Sequence, residues 1–88
     1  MRIQVRRTGG FAGIERRAEV DTSARSDADE WEDLAERALA SGRAAPPAGV
    51  PDGFSYEITV DGRTVYAADP LLTEEQRELI SRVLKEGA

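Results

Sequence analysis

The stretch from Phe54 to Ala67 constrains the fold more than any other part of this chain. Phe54, Tyr56, Ile58 and Val60 alternate with Ser55, Glu57 and Thr59. A period of two is the mark of a strand with one face buried. Asp61-Gly62 follows, the two-residue turn whose twist best matches that of paired antiparallel strands. Such a turn sets the register. Val60 opposes Arg63, Ile58 opposes Val65 and Tyr56 opposes Ala67, so the apolar residues fall mostly on one face. Thr59 with Thr64, and Glu57 with Tyr66, make the outer pairs.

A second hairpin is expected at the start of the chain. Met1, Ile3 and Val5 alternate with Arg2, Gln4 and Arg6 over residues 1–8. Ile14, Ala18 and Val20 alternate with Glu15, Arg17 and Glu19. Arg16 falls in the apolar register, at its exposed rim. Between the two runs lies Thr8-Gly9-Gly10-Phe11-Ala12-Gly13, whose glycines predict a loop that uses positive φ.

Each hairpin is followed by a helical pattern. Trp31, Leu34, Ala35, Ala38 and Leu39 recur at i, i+3, i+4, i+7 and i+8, one apolar stripe. Ser26 or Asp27 is placed to cap this helix, acidic residues from Asp27 to Asp33 suit its positive end, and Gly42 stands where helices stop. Gly42 to Gly53 is rich in Pro and Gly and reads as a loop, stiffened at Pro46-Pro47. Asp69-Pro70 ends the last strand. Thr73-Glu74-Glu75-Gln76 is a capping box, and Leu79, Ile80, Val83 and Leu84 face the core until Gly87. The expected fold class is therefore α+β, in the order β-β-α-β-β-α. One four-stranded antiparallel sheet would carry both helices on one face. The other face would stay wet, with Arg2, Gln4, Arg6, Glu15, Arg17, Glu57, Thr59, Thr64 and Tyr66.

Composition limits the chemistry. The chain has 88 residues, a length that suits a single domain over 1–88, and it has no Cys and no His. That removes thiolate nucleophiles, the commonest general base and the usual zinc ligands. The carboxylates are numerous but form no catalytic pattern, and the acidic run Asp27–Asp33 lacks the glycine and terminal Glu of a calcium loop. No catalytic residue, metal site or cofactor is expected. The glycine cluster lacks the Lys, Ser/Thr and following helix of a phosphate loop. The net charge of −5 argues against a nucleic-acid partner. It is uneven: residues 1–25 carry a net +3 and the remainder a net −8. No apolar run is long enough for a membrane span, and the alternating N-terminus does not read as a secretory leader. A cytoplasmic location is expected.

Phe11, an aromatic at a glycine-rich tip, either folds back on the core or projects as an anchor. Thr8-Gly9-Gly10-Phe11-Ala12-Gly13, taken with Pro51-Asp52-Gly53-Phe54-Ser55-Tyr56-Glu57-Ile58-Thr59-Val60, resembles the emfourin family. Those are small bacterial proteins that inhibit protealysin-like metalloproteases of the thermolysin (M4) class. Thr8 stands where the family usually has Ser, and keeps the hydroxyl. Pro51, Asp52, Phe54 and Tyr56 match a second family segment, in which Asp52 is read as ordering the loop entry and Tyr56 as core. The resemblance implies a non-enzymatic, reversible inhibitor, monomeric when free, whose partner is a thermolysin-like metalloprotease. The tip Thr8, Gly9, Gly10, Phe11, Ala12 and Gly13 would be the protease-binding segment. Phe11 would enter the pocket for a bulky apolar residue, and Gly9 and Gly10 would let the backbone come close. Met1 and Arg2 are the secondary candidates, since a free amino terminus is also a plausible probe. The alternative is an interaction module that binds through the wet sheet face, where Arg2, Arg6, Arg17 and Tyr66 would matter most.

Overall fold

The computed structural model describes residues 1–9, 15–45, 54–68 and 71–87. The elements are β1 (Arg2–Gly9), β2 (Arg16–Asp21), α1 (Ala28–Ala40), β3 (Phe54–Val60), β4 (Arg63–Ala68) and α2 (Glu74–Glu86). They form one four-stranded sheet of order β2-β1-β3-β4, antiparallel throughout. The N-terminal strand is therefore central, bonded to β2 on one side and β3 on the other. This is the expected α+β architecture.

The β3–β4 hairpin has the register its turn dictates, with Val60 opposite Arg63, Ile58 opposite Val65 and Tyr56 opposite Ala67. Asp61 and Gly62 both take positive φ, 48° and 86°, as the mirror-image hairpin turn requires. On the outer face the Thr59 and Thr64 hydroxyls meet at 2.9 Å.

The core lies between the sheet and the helices. Ile3, Val5, Ala18, Val20, Tyr56, Ile58 and Val60 meet Trp31, Leu34, Ala35, Ala38 and Leu39 of α1 and Leu79, Ile80 and Val83 of α2. Helix α2 packs on β2 and β1 and against α1. Its capping box is complete: Gln76 N–H donates to Thr73 Oγ1 and Thr73 N–H donates to Gln76 Oε1, each at 3.1 Å. The buried Gln76 amide also donates to the Ala38 carbonyl at 3.4 Å, tying the two helices together.

Three local expectations change. Thr8 and Gly9 belong to β1 and not to the loop, because β3 pairs with them (Thr8 with Ser55, Gly9 with Phe54) after β2 has stopped at Arg7–Arg16. Gly9 keeps the expected positive φ, 97°. Asp27 is the N-cap of α1, but its side chain makes no capping bond. It accepts instead from Arg25 Nε at 2.9 Å and Trp31 Nε1 at 3.1 Å. Gly42 follows the C-cap Ser41 without positive φ; a Cβ there would come within 2.4 Å of Val65 Cγ2, so size is what selects Gly.

Candidate functional site

The expected tip spans Thr8 to Gly13, and the structure describes its first two residues. Gly10, Phe11, Ala12 and Gly13 lie outside the described residues, as do Ile14, Pro46-Pro47, Pro51, Asp52 and Asp69-Pro70. What the structure supplies is the base of the tip. On the β2 side, pairing ends at Arg7–Arg16. On the β3 side it runs two residues further, to Gly9–Phe54. The segment thus leaves from the middle of the sheet, with its first two residues held by a neighbouring strand. Ordering before contact lowers the entropy lost on binding.

Met1 and Arg2 occupy the other end of β1. Arg2 pairs with Asp21, and the Arg2 N–H donates to Asp61 Oδ1 at 2.9 Å. The Met1 carbonyl accepts from the Thr22 amide at 2.9 Å and from its hydroxyl at 3.2 Å. Seven strand steps at ~3.3 Å put Gly9 roughly 20 Å or more from Arg2. The tip base and the amino terminus are therefore separate surfaces, at opposite ends of β1.

The wet face is an ion-pair lattice. Arg6 donates to Glu15 and, at 3.2 Å, to Glu57. Arg17 reaches Glu15 at 3.0 Å, and Arg2 reaches Glu19 at 3.4 Å. The bond from Arg6 holds the Glu15 carboxyl below the ordinary range, and Glu15 in turn raises Arg6. The positive charge of Arg2, Arg6 and Arg17 on this face is thus answered within the sheet by Glu15, Glu19 and Glu57. Tyr66 sits on β4, whose outer edge is bridged by Arg43: Arg43 N–H donates to the Tyr66 carbonyl at 3.0 Å and Tyr66 N–H to the Arg43 carbonyl at 2.8 Å.

Among the described residues no group of three or more carboxylates could hold an ion. Asp27 lies in a structural knot. Arg25 and Arg82 stand over Trp31 at 5.2 Å and 4.6 Å from the ring centre. Both arginines also reach Asp27 and Glu86. Bonds from Arg25, with a smaller share from Trp31, hold Asp27 below its ordinary value against the opposing effect of desolvation.

One residue beside the tip base escaped the sequence reading. Arg7 lies on the core face of β1, in register with Ile3 and Val5, and its guanidinium is 4.4 Å from the centre of the Phe54 ring. Carrying the period of two one step past Val5 would have put it there. Arg16 lies at the rim, as expected, and donates to the Leu84 carbonyl at 2.8 Å. That places a cation at the C-terminal end of α2, where the helix dipole favours one.

Comparison with known proteins adds one positive finding: the Emfourin family model matches residues 5–84, nearly the whole chain. No curated protein matches the sequence. No solved structure matches it either.

Proposed function

Because this chain belongs to the emfourin family, an inhibitor family, and so takes a protease-inhibitor role, we propose that its target is a thermolysin-like (M4) zinc metalloprotease. The tip Thr8–Gly13 enters the active-site cleft reversibly, with Phe11 as the apolar anchor. The family match carries this reading. The pairing of Thr8 and Gly9 with β3 supports the choice of the tip, since it stiffens the segment's point of departure. The chain contributes shape and backbone groups; a zinc ion in the cleft is the protease's own. The chain brings neither a thiolate nor an imidazole to that zinc, since its sequence holds neither Cys nor His. The proposed location is the cytoplasm, where such an inhibitor would restrain a protease before export. None of the helices is long and apolar enough to cross a membrane, among the described residues.

Titration against a panel of thermolysin-like proteases tests the target class. Inhibition of at least one is expected; inhibition of other protease classes alone would overturn it. Phe11→Ala tests the anchor. A buried aromatic hot spot is worth about 2 kcal/mol or more, so the inhibition constant should rise roughly 30-fold or further. An unchanged constant in the folded variant would move the contact elsewhere. A short extension ahead of Met1 should leave inhibition intact.

A further inference from the structure

The cations of this protein divide into two sets. Arg2, Arg6, Arg17, Arg25, Arg37 and Arg82 each pair with a carboxylate. Arg7, Arg16, Arg43, Arg63, Arg77 and Lys85 pair with none among the described residues. Four of these unpaired six, Arg7, Arg16, Arg77 and Lys85, line a single groove. It opens between the tip end of the sheet and the outer side of α2, and its volume is about 610 Å³. Its floor and walls are largely apolar: Phe54, Tyr56, Leu72, Ile80 and Leu84 lie along it, and among the described residues no Asp or Glu does. Arg7 is held over Phe54, and its Nε is buried with no hydrogen-bond partner among the described residues. A buried donor left unsatisfied is costly, and a partner's acceptor would remove that cost. In a chain of net charge −5, collecting unpaired cations at one place leaves a concave site of the opposite sign.

We propose that this groove binds an extended acidic segment of the protein's partner, with an apolar side chain on Phe54 and Leu84 and carboxylates on Arg7, Arg77 and Lys85. The chemistry favours a peptide. The apolar floor suits a side chain, and the four cations ring it at separate points, as carboxylates spaced along a chain would need. A nucleic acid would have to run its phosphates past the groove over a surface whose net charge repels it. Arg7 and Arg16 are also the last β1–β2 pair before the tip. The groove therefore borders the base of the tip. For the identity of the partner alone, the inference rests on the inhibitor reading: the segment would lie beside the cleft of the protease.

Two measurements test the two ideas separately. In the first, no protease is present. A fluorescein-labelled Asp-Glu-Leu-Asp-Glu peptide is titrated with the protein and followed by anisotropy. Binding is expected, weaker by about tenfold when salt rises from about 0.05 M to about 0.5 M. Arg77→Gln with Lys85→Gln, both on the exposed side of α2, should cost about tenfold or more. Arg43→Gln with Arg63→Gln, which removes as much charge outside the groove, should cost nothing. No binding by the wild type, equal loss in both pairs, or tighter binding of a single-stranded oligonucleotide at the same residues would overturn the inference. In the second, the same variants inhibit a protease that the wild type inhibits. Arg77→Gln with Lys85→Gln should raise the inhibition constant about tenfold, chiefly by slowing association. If Phe11→Ala abolishes inhibition and the groove variant leaves it unchanged, the inhibitor reading stands and the groove has no part in it. If no thermolysin-like protease is inhibited but the peptide binds as described, the inhibitor reading fails and the groove remains an acidic-peptide site.

Discussion

Two arginine–aromatic clusters lie on the helix-covered side of the sheet, and they differ in ring burial and in counter-charge. At Trp31 the ring is wholly buried, and its arginines, Arg25 and Arg82, are each tied to Asp27 and Glu86. At Phe54 the ring is half-buried and Arg7 has no carboxylate among the described residues. The first arrangement joins the entry of α1 to the end of α2. Its charges are consumed in holding the fold. The second leaves a positive charge facing a groove. Stacking on a ring is common to both; whether a counter-charge is present separates a structural contact from one open to a partner.

Truncating the rings should break the comparison most visibly. Trp31→Ala removes a fully buried indole and the Asp27 bond, and should cost about 3–5 kcal/mol in urea unfolding. Phe54→Ala should cost less, about 1–2 kcal/mol, because its ring is only partly withdrawn from water. Equal losses would mean that the Phe54 stack is also structural.

Acid titration sharpens the same contrast. A carboxylate held below its ordinary value binds fewer protons folded than unfolded. The contribution of Asp27 is therefore fully present above its unfolded value of about 4, and is lost as pH falls through its lower folded value. Asp27→Asn should lower stability at neutral pH and flatten the acid arm of the unfolding curve. An unchanged acid arm would remove Asp27 from the account. The smallest effect is expected at Arg7. Arg7→Met keeps the stem over Phe54 and deletes a charge with no carboxylate partner among the described residues, so stability should stay within about 0.5 kcal/mol or rise. Acidic-peptide affinity should nevertheless fall. A marked loss of stability would show that Arg7 has a structural partner after all.

Gly87 offers a check on close packing that is independent of charge. A Cβ there would meet the Val83 carbonyl at 2.5 Å and Glu19 backbone atoms at 2.8 and 3.0 Å. Neither can yield as a side chain would, so Gly87→Ala should cost about 1–3 kcal/mol by thermal unfolding.

Much of this molecule could be read from local pattern. The Asp61-Gly62 turn implied the β3–β4 register because a two-residue loop leaves only one pairing that keeps Ile58 and Val65 inside. The Thr73–Gln76 capping box implied the start of α2 because both bonds join residues three apart. The tip motif and the Pro51–Val60 segment together point to the family whose model matches residues 5–84. Side-chain pairing between distant residues was not legible. Glu57 meets Arg6 only because β1 and β3 are neighbours, and Glu86 meets Arg25 only because α2 returns beside the entry to α1. The same holds for the end of β1. Its glycines suggested a loop from Thr8 onward, and β3 carried the strand through Gly9. Gly42, too, looked like a helix stop, and is needed because Val65 of a later strand lies against it.

Alternation, turn chemistry and caps depend on residues a few positions apart, so the order of residues alone was enough to specify the elements, the hairpin register and the α+β class. Counter-charges depend on which strands and helices become neighbours. Only the folded chain decided that Arg6 and Arg25 are answered, and that Arg7, Arg16, Arg77 and Lys85 gather round one apolar groove with no carboxylate partner among the described residues.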